Sequence, residues 1–354
     1  MATLANLLDQ LTAPAELAVL QADGSIRCTA CGHRCLVRPG RRGICQVRFN
    51  QDGQLRVPWG YVAGLNPDPV EKKPFYHLLP GSIALTFGML GCDFHCGFCQ
   101  NWLSSQVLRD PAADESGYFT RRISPEQIVE VAQRAGADVI ASSYNEPLIT
   151  SEWAVAIFKL AVRAGIKCIY VSNGNATPEV LEYLRPYLTG MKIDLKSMQD
   201  KNYRQLGGVL KNVLDTIQRV KAMGLWLEVV TLVVPGFNDS SDELWEAARF
   251  LTSVSPDIPW HVTAFHSDYH MQETPNTPSS TLLRAAEIGR EAGLHYVYAG
   301  NLPGRVEEYE HTFCPKCNTT LVKRTGYSIH EVRLSPQGTC PKCGEKIAGV
   351  WATG

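Results

Sequence analysis

The sequence predicts an α/β protein: a partial parallel barrel of (βα)6 type, with a cysteine-rich segment before it and a cysteine-rich ribbon after it. Three observations predict this. Short apolar runs alternate with amphipathic helical patterns through the middle of the chain. The 12 cysteines do not scatter but fall in sets of four, three, one and four. The set of three follows the first apolar run directly, and barrels of this kind carry their function at the C-terminal ends of the strands.

The chain has 354 residues, of which 45% are hydrophobic and 19% charged, with a formal net charge of −1. This composition suits an ordinary globular protein with room for more than one domain. The charge gives no general attraction to nucleic acid, and a nucleic-acid partner is not expected. Met1 to Gln10 lack the basic and apolar regions of a signal peptide. No stretch reaches the ~20 apolar residues of a membrane span. A cytoplasmic protein without membrane contact is therefore expected. In that setting clustered cysteines with C-x2-C spacing point to metals, not disulfides.

Residues 1–65 form the first expected domain. A short amphipathic helix over 3–20 is expected to precede Cys28, Cys31, Cys35 and Cys45. Gly40 and Gly43 let the chain turn back on itself, so the four thiolates close one site. Zinc and a second iron–sulfur cluster both fit, and the knuckle-like C-x2-C favours zinc. Arg34, Arg38, Arg41, Arg42 and Arg48 read as a solvated loop face, with contact to an anionic partner as the alternative.

Residues 66–305 form the second domain. Strand-like runs lie at 83–87, 139–143, 168–172, 191–195, 227–234, 260–265 and 295–298. Between them, Ser124-Pro125-Glu126-Gln127 is a capping box with proline at the first helical position. Further helices are expected near 150–164, 177–187, 208–223, 240–254 and 279–292, with starts at Thr177 and Ser240 and stops at Gly165, Gly224 and Gly293. Cys168 lies in an apolar run and reads as a core thiol.

Cys92, Cys96 and Cys99 stand in Gly91-Cys92-Asp93-Phe94-His95-Cys96-Gly97-Phe98-Cys99, spaced C-x3-C-x2-C. A structural zinc takes four protein ligands and is then closed. Three thiolates suit a [4Fe–4S] cluster whose fourth iron stays free for a ligand.

C-x3-C-x-Phe-C after the first strand of such a barrel resembles the radical S-adenosylmethionine (SAM) superfamily. The resemblance implies a radical SAM barrel in which the free iron chelates SAM. One-electron reduction then yields a 5′-deoxyadenosyl radical that abstracts hydrogen from a substrate. It also implies SAM contacts on this chain. Phe98 would place its backbone against the adenine. Tyr144, Asn145 and Glu146, after the second strand, would meet the SAM ammonium. Ser172 and Asn173 resemble the Thr-Asn of glycyl-radical-enzyme activases, and Asp194 and Lys196 match their Asp-x-Lys. Thr231 would lie toward the ribose and adenine, and His266 would approach SAM beside Phe265. A flavodoxin or ferredoxin would donate the electron.

The four-cysteine start, Asp68 to His77, the three-cysteine loop, Trp260-His261-Val262-Thr263 and Val297 to Asn301 together resemble the AmmeMemoRadiSam system radical SAM enzymes, relatives of pyruvate formate-lyase activating enzymes. That resemblance implies an oxidoreductase whose partner is a protein substrate or a Memo-like or AMMECR-like protein. Lys72, Lys73, Tyr76 and His77 are expected near the barrel mouth or packed beneath it.

Residues 306–354 form the third domain. Cys314, Cys317, Cys340 and Cys343 make two C-x2-C knuckles around the alternating run 321–329, the spacing of a zinc ribbon that needs its metal to fold. Lys316, Lys323, Arg324 and Lys342 suggest contact with an anion.

Three functions follow: radical chemistry on a protein, radical chemistry on a small metabolite, and a metal-binding interaction protein without turnover. The three-cysteine loop with Glu146, Asp194 and His266 argues against the last.

Overall fold

The computed structural model describes residues 4–115 and 120–351. The ends of the first and third expected domains, residues 1–3 and 352–354, lie outside these.

Seven parallel strands share one sheet with an antiparallel edge strand. In chain order the parallel strands are Ile83–Gly88, Val139–Ser142, Lys167–Ser172, Gly190–Asp194, Trp226–Val233, Trp260–Ala264 and Val297–Gly300. Each pairs with its predecessor, as βα units require. The edge strand, Gly64–Pro69, pairs with the first parallel strand.

The helices begin where their caps stand. Ser124 accepts from the Gln127 amide at 3.3 Å, while the Gln127 side chain accepts from the Ser124 amide at 2.9 Å, which completes the capping box. Thr177 and Ser240 cap the helices Pro178–Leu184 and Ser241–Val254. Gly165, Gly224 and Gly293 adopt φ of 76°, 76° and 97°, the left-handed turn that ends a helix.

Strand alternation sets the two faces of the sheet. Val230 and Leu232 line an inner cavity, with Glu228 buried on the same side against His261, whereas Val229 and Val233 join the core beneath the helices. Cys168 is fully buried in that core, as expected.

The N-terminal segment departs from expectation. The helix expected over 3–20 stops at Asp9, its first residue lying outside the described residues. Thr12–Pro14 and Ala18–Leu20 are instead strands, the former paired with Gln54–Pro58. Pro14 has no amide hydrogen to continue a helix. Arg48 is also not solvated. It is 1% exposed and grips Glu152 through two bonds of 2.7 and 2.8 Å. Arg34 pairs with Glu179 at 2.6 Å and Arg42 with Asp9 at 2.5 Å.

The C-terminal segment is a three-stranded sheet, Thr312–Phe313, Thr320–Thr325 and Ser328–Val332. Arg324 ties it to the segment before the first parallel strand and reaches Tyr298 of the large sheet, 5.9 Å from its ring centroid. Arg324 is fully buried, donates to the Tyr76 carbonyl at 2.8 Å and to Thr312 Oγ1 at 2.7 Å, and lies over the Tyr76 ring. Arg324 is therefore a docking residue here, and its charge does not face an outside anion.

Candidate active site and cysteine centres

The three-cysteine loop leaves the first parallel strand through Gly91. Its φ is 92°, and a Cβ there would stand 2.8 Å from Val47 Cγ1. Only glycine meets both demands without strain. The loop is then anchored from three sides. Asp93, fully buried, accepts from Asn173 Nδ2 at 2.8 Å and Asn175 Nδ2 at 2.9 Å. The His95 amide donates to the Leu206 carbonyl at 2.9 Å. Arg109 and Gln106 both donate to the Phe94 carbonyl.

Cys92, Cys96 and Cys99 line one cavity of about 400 Å³ against the inner face of the sheet. Burial raises all three thiols, Cys96 up to about 12. Three neutral thiols on one wall are what a thiophilic metal centre would deprotonate on binding. The Phe94 amide donates to Cys92 Sγ at 3.4 Å, and Ser105 Oγ sits 3.2 Å from Cys99 Sγ. The donor set therefore fits a cluster held by three cysteines.

The next strand ends supply polar groups to the same cavity. Glu146 is 3% exposed. It accepts from Ser172 Oγ at 2.7 Å, the Asn173 amide at 2.7 Å and the Leu148 amide at 3.0 Å. Burial, followed by the neighbouring Asp93 carboxylate, raises its pKa. Such a carboxylate gains from a cation. Tyr144, two residues before Glu146, adopts φ of 72°, a conformation that glycine would take freely. Its hydroxyl meets Asp68 Oδ2 at 3.3 Å and Asn66 Nδ2 at 3.2 Å. Asn145 Oδ1 accepts from the Met89 amide at 3.0 Å, so it binds the start of the cysteine loop.

Asp194 sits between two lysines. Lys196 Nζ reaches it at 2.9 Å, and Lys192 Nζ pairs with its other oxygen. Burial pushes the carboxyl up, but the two ammonium groups prevail and hold it down at about 2. Phe98 is buried edge-on against Phe237, with the Lys196 ammonium 6.0 Å from its ring centroid.

Two expected SAM contacts are not brought to this cavity. Thr231 alternates away between Val230 and Leu232, and its hydroxyl accepts from Trp260 Nε1 at 3.0 Å. His266 is exposed and lies beyond the strand end, with its ring near the Ser267 carbonyl. The chain turns as it leaves Ala264, so Phe265 is buried and His266 faces outward.

Other lining residues were not read as site residues. Lys192 and His261 face inward, two residues before Asp194 and Thr263, a signal that strand alternation carries. Lys72, Lys73 and Tyr76, which the sequence places near the mouth or beneath it, line the cavity, as does Tyr327 from the C-terminal sheet. Glu71 lines it too: its pKa is raised by burial, and its Oε2 has no hydrogen-bond partner. His77 does not face the cavity. It is fully buried between Tyr298 and the Ala348 carbonyl.

Of the cysteine sets, one is drawn tightly together. The sulfur atoms of Cys314, Cys317, Cys340 and Cys343 all lie within 4.8 Å of one another, with Cys314 to Cys343 at 3.5 Å and Cys317 to Cys340 at 3.6 Å.

A parallel α/β sheet with three cysteines on the loop after its first strand defines a class. Residues 87–251 match the radical SAM superfamily. The chain is 36% identical over 328 residues to an uncharacterized protein of Methanocaldococcus jannaschii, covering 92% of this chain and 96% of that one. It is 24% identical over 186 residues to the pyruvate formate-lyase-activating enzyme of Staphylococcus aureus, covering 50% of this chain and 72% of that one. Among solved structures, a domain of the pyruvate formate-lyase-activating enzyme from Bacteroides vulgatus superposes with a TM-score of 0.41 at 20% identity, covering 46% of this chain and 98% of that one.

The chain belongs to the radical SAM superfamily, and is related to pyruvate formate-lyase activating enzymes. Membership implies an enzyme that uses a [4Fe–4S] cluster and SAM. Among the described residues no helix is long and apolar enough to cross a membrane.

Proposed function

We propose that Cys92, Cys96 and Cys99 hold the [4Fe–4S] cluster, and that the polar groups beside them bind SAM for hydrogen abstraction from a substrate. The observation that carries this reading is the convergence of the three thiols with Glu146, Ser172, Asn173, Asp194 and Lys196 on one cavity. When bound, the cluster supplies the electron that cleaves SAM. The rest falls to the chain. Glu146 takes the SAM ammonium, held in place by Ser172 and the Asn173 amide. Lys196, already aligned by Asp194, offers its charge to the SAM carboxylate. Phe98 and Leu232 give an apolar wall suited to the adenine.

The relatives named as activating enzymes support a protein as the hydrogen donor; the electron source in this reading is a flavodoxin or ferredoxin. A second reading, a small anionic substrate, is favoured by three lysines on the cavity wall. Lys72 and Lys73, which share Asp68, and Lys192, which pairs with Asp194, line that cavity together with Tyr327. The AmmeMemoRadiSam assignment, with its Memo-like or AMMECR-like partner, belongs to the first reading.

The ribbon thiols are spaced for zinc. Four sulfurs on ~2.3 Å bonds to one tetrahedral ion stand about 3.8 Å apart. The division into 1–65, 66–305 and 306–354 is part of the same proposal.

Anaerobic protein with SAM and dithionite should release 5′-deoxyadenosine, and the Cys92→Ala, Cys96→Ala, Cys99→Ala protein should not. Equal release from both would end the radical reading. Deuterium appearing in 5′-deoxyadenosine from a labelled protein partner supports the first substrate reading, and from a labelled small acid the second.

A further inference from the structure

We propose that the outer face of the small sheet Ala18–Leu20, Ile26–Cys28 and Leu36–Val37 is the docking surface for the protein that delivers the electron, a carrier with an acidic face. The inference rests on the radical reading above and adds to it the place where the electron enters.

Strand register builds the face. Val19 stands opposite Arg27, and Arg27 opposite Leu36, so the three side chains form one row across the sheet. Val19 is 52% and Leu36 44% exposed, while Ile26, Cys28 and Val37, their neighbours along the strands, point the other way and are buried. The Ile44 amide donates to Cys35 Sγ at 3.4 Å, which brings a third apolar side chain, 46% exposed, beside the Leu36 strand. Of the nine large apolar side chains exposed among the described residues, five lie between Leu7 and Ile44. Such a concentration marks a surface that meets another molecule.

Charge sets the partner's sign. Residues 18–52 carry six arginines against Asp23 and Asp52, with no lysine or glutamate, a formal +4 in a chain of −1. Glu179, Asp9 and Glu152, outside that span, pair with Arg34, Arg42 and Arg48. Among the described residues Arg27, Arg38 and Arg41 have no carboxylate at ion-pair distance. Arg27 Nη1 donates to the Arg34 carbonyl at 2.8 Å, and Arg38 and Arg41 are exposed. Asp23, near Arg38, is engaged by the Ser25 amide at 3.0 Å. Guanidinium groups set among apolar side chains suit a partner that brings carboxylates.

Position sets the partner's task. Among the described residues, none before Glu71 lines the cavity of Cys92, Cys96 and Cys99. The N-terminal segment meets that loop from outside the cavity instead. Arg109 Nη1 donates to the Phe94 carbonyl at 2.9 Å and its Nη2 to the Ile44 carbonyl, so one guanidinium joins the loop to the exposed Ile44. His33 Nε2 lies 3.1 Å from the Asp93 carbonyl oxygen, and a Cβ on Gly91 would stand 3.2 Å from the Cys45 carbonyl oxygen. A carrier seated here approaches the cysteine loop while SAM and substrate keep the cavity. In the step itself one electron leaves the reduced carrier and enters the cluster, and no bond forms or breaks.

The probe is reduced flavodoxin, an acidic electron carrier, and the readout is 5′-deoxyadenosine release from SAM by the full chain. Dithionite serves as a small donor that needs no docking face. The Val19→Glu, Leu36→Glu protein should lose about tenfold in kcat/KM for flavodoxin and keep its dithionite-driven rate. Val162→Glu, at an exposed apolar position on the helix Ser151–Arg163, should change neither. The Val19→Lys, Leu36→Lys protein loses the same apolar surface with the opposite charge, and should outpace the glutamate pair with flavodoxin. Equal flavodoxin-driven rates in the two pairs would overturn the proposal, whatever their dithionite rates. So would a fall with Val162→Glu as large as that of the glutamate pair. A parent dimer that the glutamate pair dissolves would give the face to a second copy of this chain and overturn the proposal as well. If the parent makes no 5′-deoxyadenosine with dithionite, the radical reading fails. Calorimetric binding of flavodoxin to the parent and the two pairs then decides the docking face, by the same order of affinities.

Discussion

Asn173 Nδ2 donates to Asp93 Oδ1 at 2.8 Å, joining the residue after Cys92 to the end of the third parallel strand. The same asparagine gives its amide to Glu146 at 2.7 Å. One residue therefore sets both the cysteine loop and the carboxylate proposed above to meet the SAM ammonium. Asn173→Ala removes the side-chain half only. It leaves a buried carboxylate oxygen short of a donor, at a cost of about 1–3 kcal/mol. Chemical denaturation should show that loss. Iron should also leave the variant faster under a chelator than it leaves the parent. Unchanged stability together with unchanged iron release would contradict this role.

Glu146→Gln should weaken SAM binding. Removing the charge takes one charge-assisted bond from the ammonium, about 2 kcal/mol or roughly thirtyfold in affinity. Equilibrium dialysis with labelled SAM on the reconstituted protein measures this directly. An affinity within twofold of the parent would mean that the ammonium binds elsewhere.

The buried Arg48 and Glu152 pair ties the N-terminal segment to the helix Ser151–Arg163. Burial raises the Glu152 pKa, but Arg48 outweighs it and the carboxyl ends below its ordinary value. Glu152 also accepts from the Leu17 amide at 3.2 Å. Breaking such a pair on one side strands a buried charge, which costs about 3–5 kcal/mol. Glu152→Gln should therefore lower the urea midpoint of the full chain substantially. Glu179→Gln should not, because its Arg34 pair is exposed and worth at most ~1 kcal/mol. Equal effects of the two substitutions would refute the contrast.

The alternating core was legible because strand and helix periods differ and because the caps stand where helices start. The edge strand Gly64–Pro69 was not. It reads Gly-Leu-Asn-Pro-Asp-Pro, a turn composition, and prolines are tolerated there because an edge leaves half its amides unpaired. The cavity lining after the first, second, third and fourth strands followed from strand ends. Thr231 lies off the cavity because motif position says nothing of which face a side chain takes, and a one-residue step reverses it. Arg48 and Arg324 looked like surface charges, since their partners Glu152 and Tyr76 lie 104 and 248 residues away. Burial of this kind depends on long-range packing that local composition does not carry.

His77 joins the C-terminal segment to the large sheet, and it should make that junction sensitive to acid. Its Nε2 meets Tyr298 Oη at 2.6 Å and its Nδ1 meets the Ala348 carbonyl at 2.7 Å. Burial lowers its pKa from 6.5 to about 4. In the unfolded chain the ring takes a proton below about 6.5, while in the folded chain it stays neutral until about 4. The unfolded state then binds more protons, so stability falls as pH drops through that window, by up to about 3 kcal/mol from this ring alone. His261 is also lowered by burial, against the pull of Glu228, and adds to the same slope. His77→Gln keeps hydrogen-bonding groups at the site but removes the titration. Its stability should be lower than the parent's at pH 7 and should change less between pH 6.5 and 4. Urea unfolding at several pH values compares the two slopes, and parallel curves would show that the His77 ring does not carry the effect.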